Sequence, residues 1–108
     1  MTDKRADITP AALAYLGDSV IEVLARERLV SAGIPDSARL NLAAAKYVRA
    51  TVQSDAVERI LPLLDEAEAA VYRRATGMEA LFGWLWLGGE EGKTRARELF
   101  CAAYGNEN

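Results

Sequence analysis

A chain of 108 residues, 51% hydrophobic and 27% charged, is long enough to bury one core and too short for two domains of ordinary size. The absence of histidine removes the usual general base, the Ser-His and Cys-His nucleophile pairs and every His-ligated metal site, so chemistry must rest mainly on carboxylates. A net charge of −3 runs against the basic balance typical of nucleic-acid-binding domains, although clustering of Lys and Arg, rather than the average, is what meets phosphates.

The one cysteine, Cys101, excludes an intrachain disulfide and a cysteine-based zinc site and reads as a small buried hydrophobe. Residues 1–7 are polar and mixed in charge. No apolar run approaches the roughly 20 residues that span a bilayer, so the expected compartment is the cytoplasm, with no membrane partner. Residues 1–108 read as a single domain, with its core over about 9–104.

Thr9-Pro10 predicts a helix start, because Thr caps free amides and Pro is tolerated at the first helical position. That helix runs to about Ser31, with Leu13, Leu16, Val20, Val23 and Leu24 as its apolar stripe, and Gly33 and Pro35 end it. Asp36 or Ser37 caps a second helix carrying Leu40 and Leu42. A break near Tyr47 separates it from a stretch with Val48, Val52, Val57, Ile60 and Leu61, which stops at Pro62. Residues 65–74 begin acidic and end with Arg73 and Arg74, the charge order that suits a helix dipole. Met78–Leu87 is an apolar run bounded by Gly88-Gly89, and a last helix covers about Glu90–Tyr104, with Leu99 and Phe100 inward. Without a hairpin signal, the fold class is all-α, a helical bundle.

Two acids stand out. On a helical wheel Asp18 falls roughly opposite the apolar stripe of its helix. Glu79 lies on the same side of its helix as Phe82, Gly83 and Trp86, so it is expected to be partly buried and to need a partner or a cation. Gly17 and Gly83 each cost about 1 kcal/mol in mid-helix relative to Ala. Glycine at these positions lets two helices approach until their carboxylates meet. Oxygen donors without nitrogen or sulfur suit a hard cation, most simply Mg²⁺, and point to phosphoryl chemistry. Spacing alone also allows a solvated Asp and a Glu paired with an arginine.

The segment Leu13-Ala14-Tyr15-Leu16-Gly17-Asp18-Ser19-Val20-Ile21-Glu22 resembles the signature helix of the RNase III family. Glu79-Ala80-Leu81-Phe82-Gly83-Trp84 resembles that family's second acidic helix. The stretch Leu40–Ser54 and the acidic-then-Arg helix Glu68–Arg74 are similar to the Mini-III branch, so the resemblance covers most of residues 11–103. RNase III enzymes with an RNA-binding domain carry a Glu four residues before the signature Asp and an Asp three before the second Glu. Ala14 and Thr76 stand there here, as in Mini-III.

The resemblance implies an RNase III endonuclease-domain bundle acting as a Mg²⁺-dependent endoribonuclease on double-stranded or structured RNA, by the Mini-III likeness a precursor ribosomal RNA. Asp18 and Glu79 would be catalytic and hold the metal; two carboxylates per subunit support one ion better than two. It also implies a homodimer through the signature helices, with Ser19, Val20 and Ile21 in the packing and Glu22 at the margin of the site. Arg73, Arg74 and Lys46 are candidate RNA contacts, and Arg26, Arg28, Arg49, Lys93, Arg95 and Arg97 are further cations able to meet phosphates. Trp84 and Trp86 read as core or interface.

One departure from Mini-III is marked: a longer polar, basic loop in the family is reduced here to Ala75 and Thr76 between Arg74 and Gly77. The alternatives are a non-catalytic RNase III-fold dimeric scaffold or RNA-binding subunit, and a helical protein-interaction module.

Overall fold

Helix boundaries follow local chemistry. Thr9 is extended and its hydroxyl accepts from the Ala12 amide at 3.1 Å, with Pro10 opening helix α1, Pro10–Ser31. The chain turns at Gly33, whose φ of 87° favours a residue without Cβ. Asp36 then caps α2, Ser37–Ala45, by accepting from the Arg39 amide at 2.9 Å. The expected break near Tyr47 is a 3₁₀ turn, Lys46–Val48, before α3, Ala50–Ile60. Pro62 falls in a second 3₁₀ turn, Leu61–Leu63, that ends this run. Helix α4, Glu66–Ala75, starts with a reciprocal cap: Asp65 Oδ1 accepts from the Glu68 amide, and Glu68 Oε1 from the Asp65 amide. Helices α5, Met78–Trp86, and α6, Gly89–Tyr104, complete the bundle. The computed structural model describes residues 4–48, 50–75 and 77–105, and among them there is no strand. Arg49 and Thr76 lie outside the described residues, as do the side chains at positions 48, 50 and 51.

The core is built on α5, whose Leu81 and Phe82 are fully buried with Ile60 of α3 and Leu99 of α6. Val20 and Ile21 of α1 belong to this core, which corrects their expected place in dimer packing. Val23 is 46% exposed, and α2 has no fully buried residue: its Leu42 is 73% exposed. Cys101 is exposed as well, against its expected burial, because α6 turns Leu99, Phe100 and Ala103 inward instead. Trp84 and Trp86 are partly buried against the core, with Arg5 over the Trp84 ring and Lys93 and Arg97 over that of Trp86. No described helix is long and apolar enough to cross a membrane.

Arginines cap the helix ends. Arg28 donates to the Tyr104 and Gly105 carbonyls and Arg59 to that of Ala103, satisfying the last turn of α6. Arg5 does the same for α5 by donating to Trp84 O at 2.8 Å.

Glu68 is buried and bound by both Nε and Nη2 of Arg95, at 2.8 and 3.0 Å, while Nη2 also donates to Leu63 O. Arg95→Met keeps the aliphatic stem but leaves the Glu68 charge without its cation. The expected loss is about 2–3 kcal/mol, below the range for a fully buried pair because Arg95 is partly exposed. A urea midpoint unchanged from wild type would show that the pair contributes nothing.

Candidate functional site

Gly17 and Gly83 interlock α1 and α5. A Cβ on Gly17 would lie 1.6 Å from the Glu79 carbonyl oxygen, and one on Gly83 would lie 2.0 Å from that of Leu13. Only hydrogen fits at either position, so the backbones touch. Asp18 follows Gly17 directly and Glu79 is the residue Gly17 touches, so the close approach delivers the two acids to one place.

Asp18 and Glu79 line the same cavity, of about 610 Å³. Asp18 is exposed and Glu79 half-buried, as the helical wheel predicts. Glu79 is the second residue of α5, where the positive end of the helix dipole favours a carboxylate. Its Oε2 folds back over Gly77, 3.0 Å from where a Cβ there would sit. Across the cavity stand Asn41 of α2, Tyr47 of the 3₁₀ turn and Gln53 of α3. The Glu22–Arg26 ion pair, 2.6 Å, borders it on α1. Glu79 and Gln53 also border a second cavity of about 410 Å³ that reaches Tyr72 and Gly77, so the two form one groove.

Neither Asn41, Tyr47 nor Gln53 stood out in the sequence, where a neutral side chain on a helix carries no sign of what it faces. The carboxylates of Asp18 and Glu79, with the amide oxygens of Asn41 and Gln53 and the Tyr47 phenol on the same cavity, offer oxygen donors suited to a hard cation that keeps part of its water. Among the described residues no cluster of three or more acidic or cysteine side chains could hold a metal by itself.

The candidate RNA contacts fare differently. Lys46 is exposed between two residues that line the cavity, Ala45 and Tyr47, and Arg73 is exposed next to Tyr72 at the groove's other end. Arg74 is exposed but donates to the carbonyls of Ala6 and Ile8, tying the N-terminal segment down. Arg95 is bound to Glu68, Arg28 to the end of α6, and Arg97 to Glu27, so these cations already have partners within the chain.

Tyr104, at the end of α6, packs its ring against Tyr47 and Phe100 with centroids 4.9 and 4.8 Å away. Burial pushes its phenol up to about 12, with the charges of Glu79 and Tyr47 adding to the effect. A group harder to ionise when folded stabilises the fold fully below its unfolded value of 10, and that contribution is lost as pH rises through about 12. Stability is therefore expected to fall between those values, and Tyr104→Phe should fall less over the same range when unfolding is followed by circular dichroism.

Residues 11–90 match the family profile described as Ribonuclease III domain. The chain is 35% identical over 116 aligned positions to the Mini-ribonuclease 3 of Symbiobacterium thermophilum, covering 89% of this chain and 88% of the relative. It is 33% identical over 103 positions to that of a Thermoanaerobacter species, covering 77% and 72%. It is 32% identical over 102 positions to that of Brevibacillus brevis, covering 76% of each. In the first match, 116 positions pair with 89% of 108 residues, about 96, so the relative carries about 20 residues that this chain lacks; the other two matches give the same difference, the size of a surface-loop insertion. No solved structure matches the chain at comparable stringency.

Proposed function

The chain belongs to the ribonuclease III domain family, and we propose that it is an endoribonuclease that cleaves double-stranded or structured RNA with Mg²⁺ held by Asp18 and Glu79. The observation that carries this reading is the Gly17–Gly83 contact, which brings two acids from separate helices to one cavity. Bound there, the cation would supply Lewis acidity, activating water as the nucleophile and offsetting charge that builds on the scissile phosphate. Asp18 and Glu79 would bind it, and Asn41 and Gln53 would orient its hydration shell from the opposite wall. The products would carry 5′-phosphate and 3′-hydroxyl ends. That the duplex is a precursor ribosomal RNA rests on the Mini-III likeness alone, and the cytoplasm as its compartment on the polar N-terminal residues and the lack of an apolar run long enough to span a bilayer.

Duplex RNA is held mainly through phosphates and 2′-hydroxyls. Lys46 at one end of the groove and Arg73 at the other are the exposed cations best placed for this, with Arg74 beside them. A homodimer fits the exposed face of α1, where Tyr15 (83% exposed), Val23 and Val30 share one side with Ser19 and Glu22. A second copy packed there would align two acid pairs along one duplex. Tyr15→Asp places a charge in that contact and is expected to shift the protein from dimer to monomer. Sedimentation of both proteins at equal concentration checks this, and a wild-type monomer would remove the dimer from the reading.

The direct test incubates the purified protein with a long RNA duplex in Mg²⁺ and, in parallel, in EDTA, and identifies the ends of any fragments. Cleavage only with Mg²⁺ is the expected result. Duplex bound but left intact in both would favour a non-catalytic RNA-binding role, consistent with the about 20 residues missing relative to its relatives.

A further inference from the structure

Glu22 and Arg26 pair at 2.6 Å, one turn apart on α1, and both side chains stay more than half exposed. On a helix face open to solvent such a pair only supports the helix, and weakly. This one stands at the acid site. Asp18, Glu22 and Arg26 recur at helical spacing and form one row along α1, and all three line the cavity that Glu79 lines from α5. Among the described residues of that cavity, three are carboxylates and Arg26 is the one cation. Lys46 and Arg73 stand beyond it, toward the groove's ends. A metal ion on Asp18 and Glu79 offsets those two acids. Glu22 remains as a negative charge in the path of a polyanion, and Arg26 is the group that screens it.

The groove also continues past this pair. Arg26, Asn41 and Ala44 line a further cavity of about 280 Å³ between α1 and α2, which leads on toward Val30 and Ser37. A strand whose scissile phosphate lies at the acids therefore runs past Arg26, about 12 Å further along the helix axis. We propose that Arg26 is an RNA-binding residue that exchanges partners: paired with Glu22 in the free protein, its guanidinium leaves that carboxylate for a strand phosphate beside the scissile one. The exchange is favourable because an exposed ion pair is weakly held, whereas a guanidinium meets two phosphate oxygens with two parallel N–H donors. The inference rests on the reading of Asp18 and Glu79 as the cleavage site.

The test compares wild type, Arg26→Gln, Glu22→Gln and the double variant in single-turnover cleavage of an RNA duplex at saturating Mg²⁺. Protein concentration is varied at each step of a KCl series, and melting and sedimentation of each protein are read alongside. Arg26→Gln is expected to raise the half-saturating protein concentration about tenfold and to leave the maximal rate within about twofold of wild type. Its logarithmic salt dependence should be shallower by about 1, the loss of one phosphate contact. Glu22→Gln should lower half-saturation about twofold, because the arginine is no longer held. In the double variant that gain should vanish, since Glu22 acts only through Arg26. Wild-type half-saturation and salt slope in Arg26→Gln would overturn the inference. So would a gain from Glu22→Gln that persists without Arg26, which would make Glu22 a plain repelling charge. A change from dimer to monomer in Arg26→Gln would also overturn it, by placing the pair in the subunit contact. If wild type leaves the duplex intact, the cleavage reading itself fails, and this inference with it.

Discussion

Gly17→Ala is expected to cost about 3–5 kcal/mol of stability and to abolish cleavage in the protein that still folds. The sign is informative, because Ala is the better helix former by about 1 kcal/mol, and local propensity alone predicts stabilisation. The new Cβ would stand 1.6 Å from the Glu79 carbonyl oxygen and 2.5 Å from its carbon, and neither is the flexible end of a side chain. Relief requires α1 and α5 to separate by more than an ångström. That opens voids around Phe82 and Leu81, which are fully buried between the helices and the rest of the core. The same separation moves Asp18 away from Glu79, so stability and activity should fail together. Gly83→Ala acts on the same contact from the other helix, meeting the Leu13 carbonyl, and the double variant should cost less than the sum of the two. Urea unfolding of the four proteins measures this, and a Gly17→Ala variant at or above wild-type stability would mean that the helices are not locked at this point.

Much of this arrangement is legible in the sequence because it is set locally. Thr9, Gly33, Asp36 and Pro62 determine helix ends within a few residues of themselves, and the helices start and stop there. The acid pair is legible for a similar reason, since a glycine in mid-helix is costly and each acid has one nearby. The apolar stripe of α1 is less so. Centred on Leu13, Leu16, Val20 and Val23, it predicts a buried Val23, but the packed face runs through Gly17, Ile21 and Ala25. Glycine and alanine add little to a hydrophobicity pattern, yet their smallness draws α5 onto that side and rotates Val23 outward.

Partner choice is the other part the sequence hides. Arg95 and Glu68 are 27 residues apart, and Arg28 reaches a carbonyl 76 residues away. Nothing in their neighbours marks these two arginines as spoken for, so both read as further cations able to meet phosphates until the fold assigns them to internal partners.

Asp18→Asn and Glu79→Gln should each lower duplex cleavage by about 10³-fold or more, the equivalent of the several kcal/mol that a correctly held cation supplies. The double variant should be little worse than either, because the two carboxylates act as a unit. Without metal their effect on stability is expected to be small, because Asp18 is exposed and Glu79 only half-buried, so the three proteins should melt close together. Adding Mg²⁺ should separate them. A ligand at 100 times its Kd stabilises the folded state by about 2.7 kcal/mol, worth about 10 °C or more for a domain of this size. Wild type should gain that increment and the variants should not. A Mg²⁺-dependent gain confined to wild type separates a metal site from a pair of surface acids. If Mg²⁺ shifts all three proteins equally, the cation is held elsewhere, and if either variant cuts duplex at the wild-type rate, the acid it lacks takes no part in the chemistry.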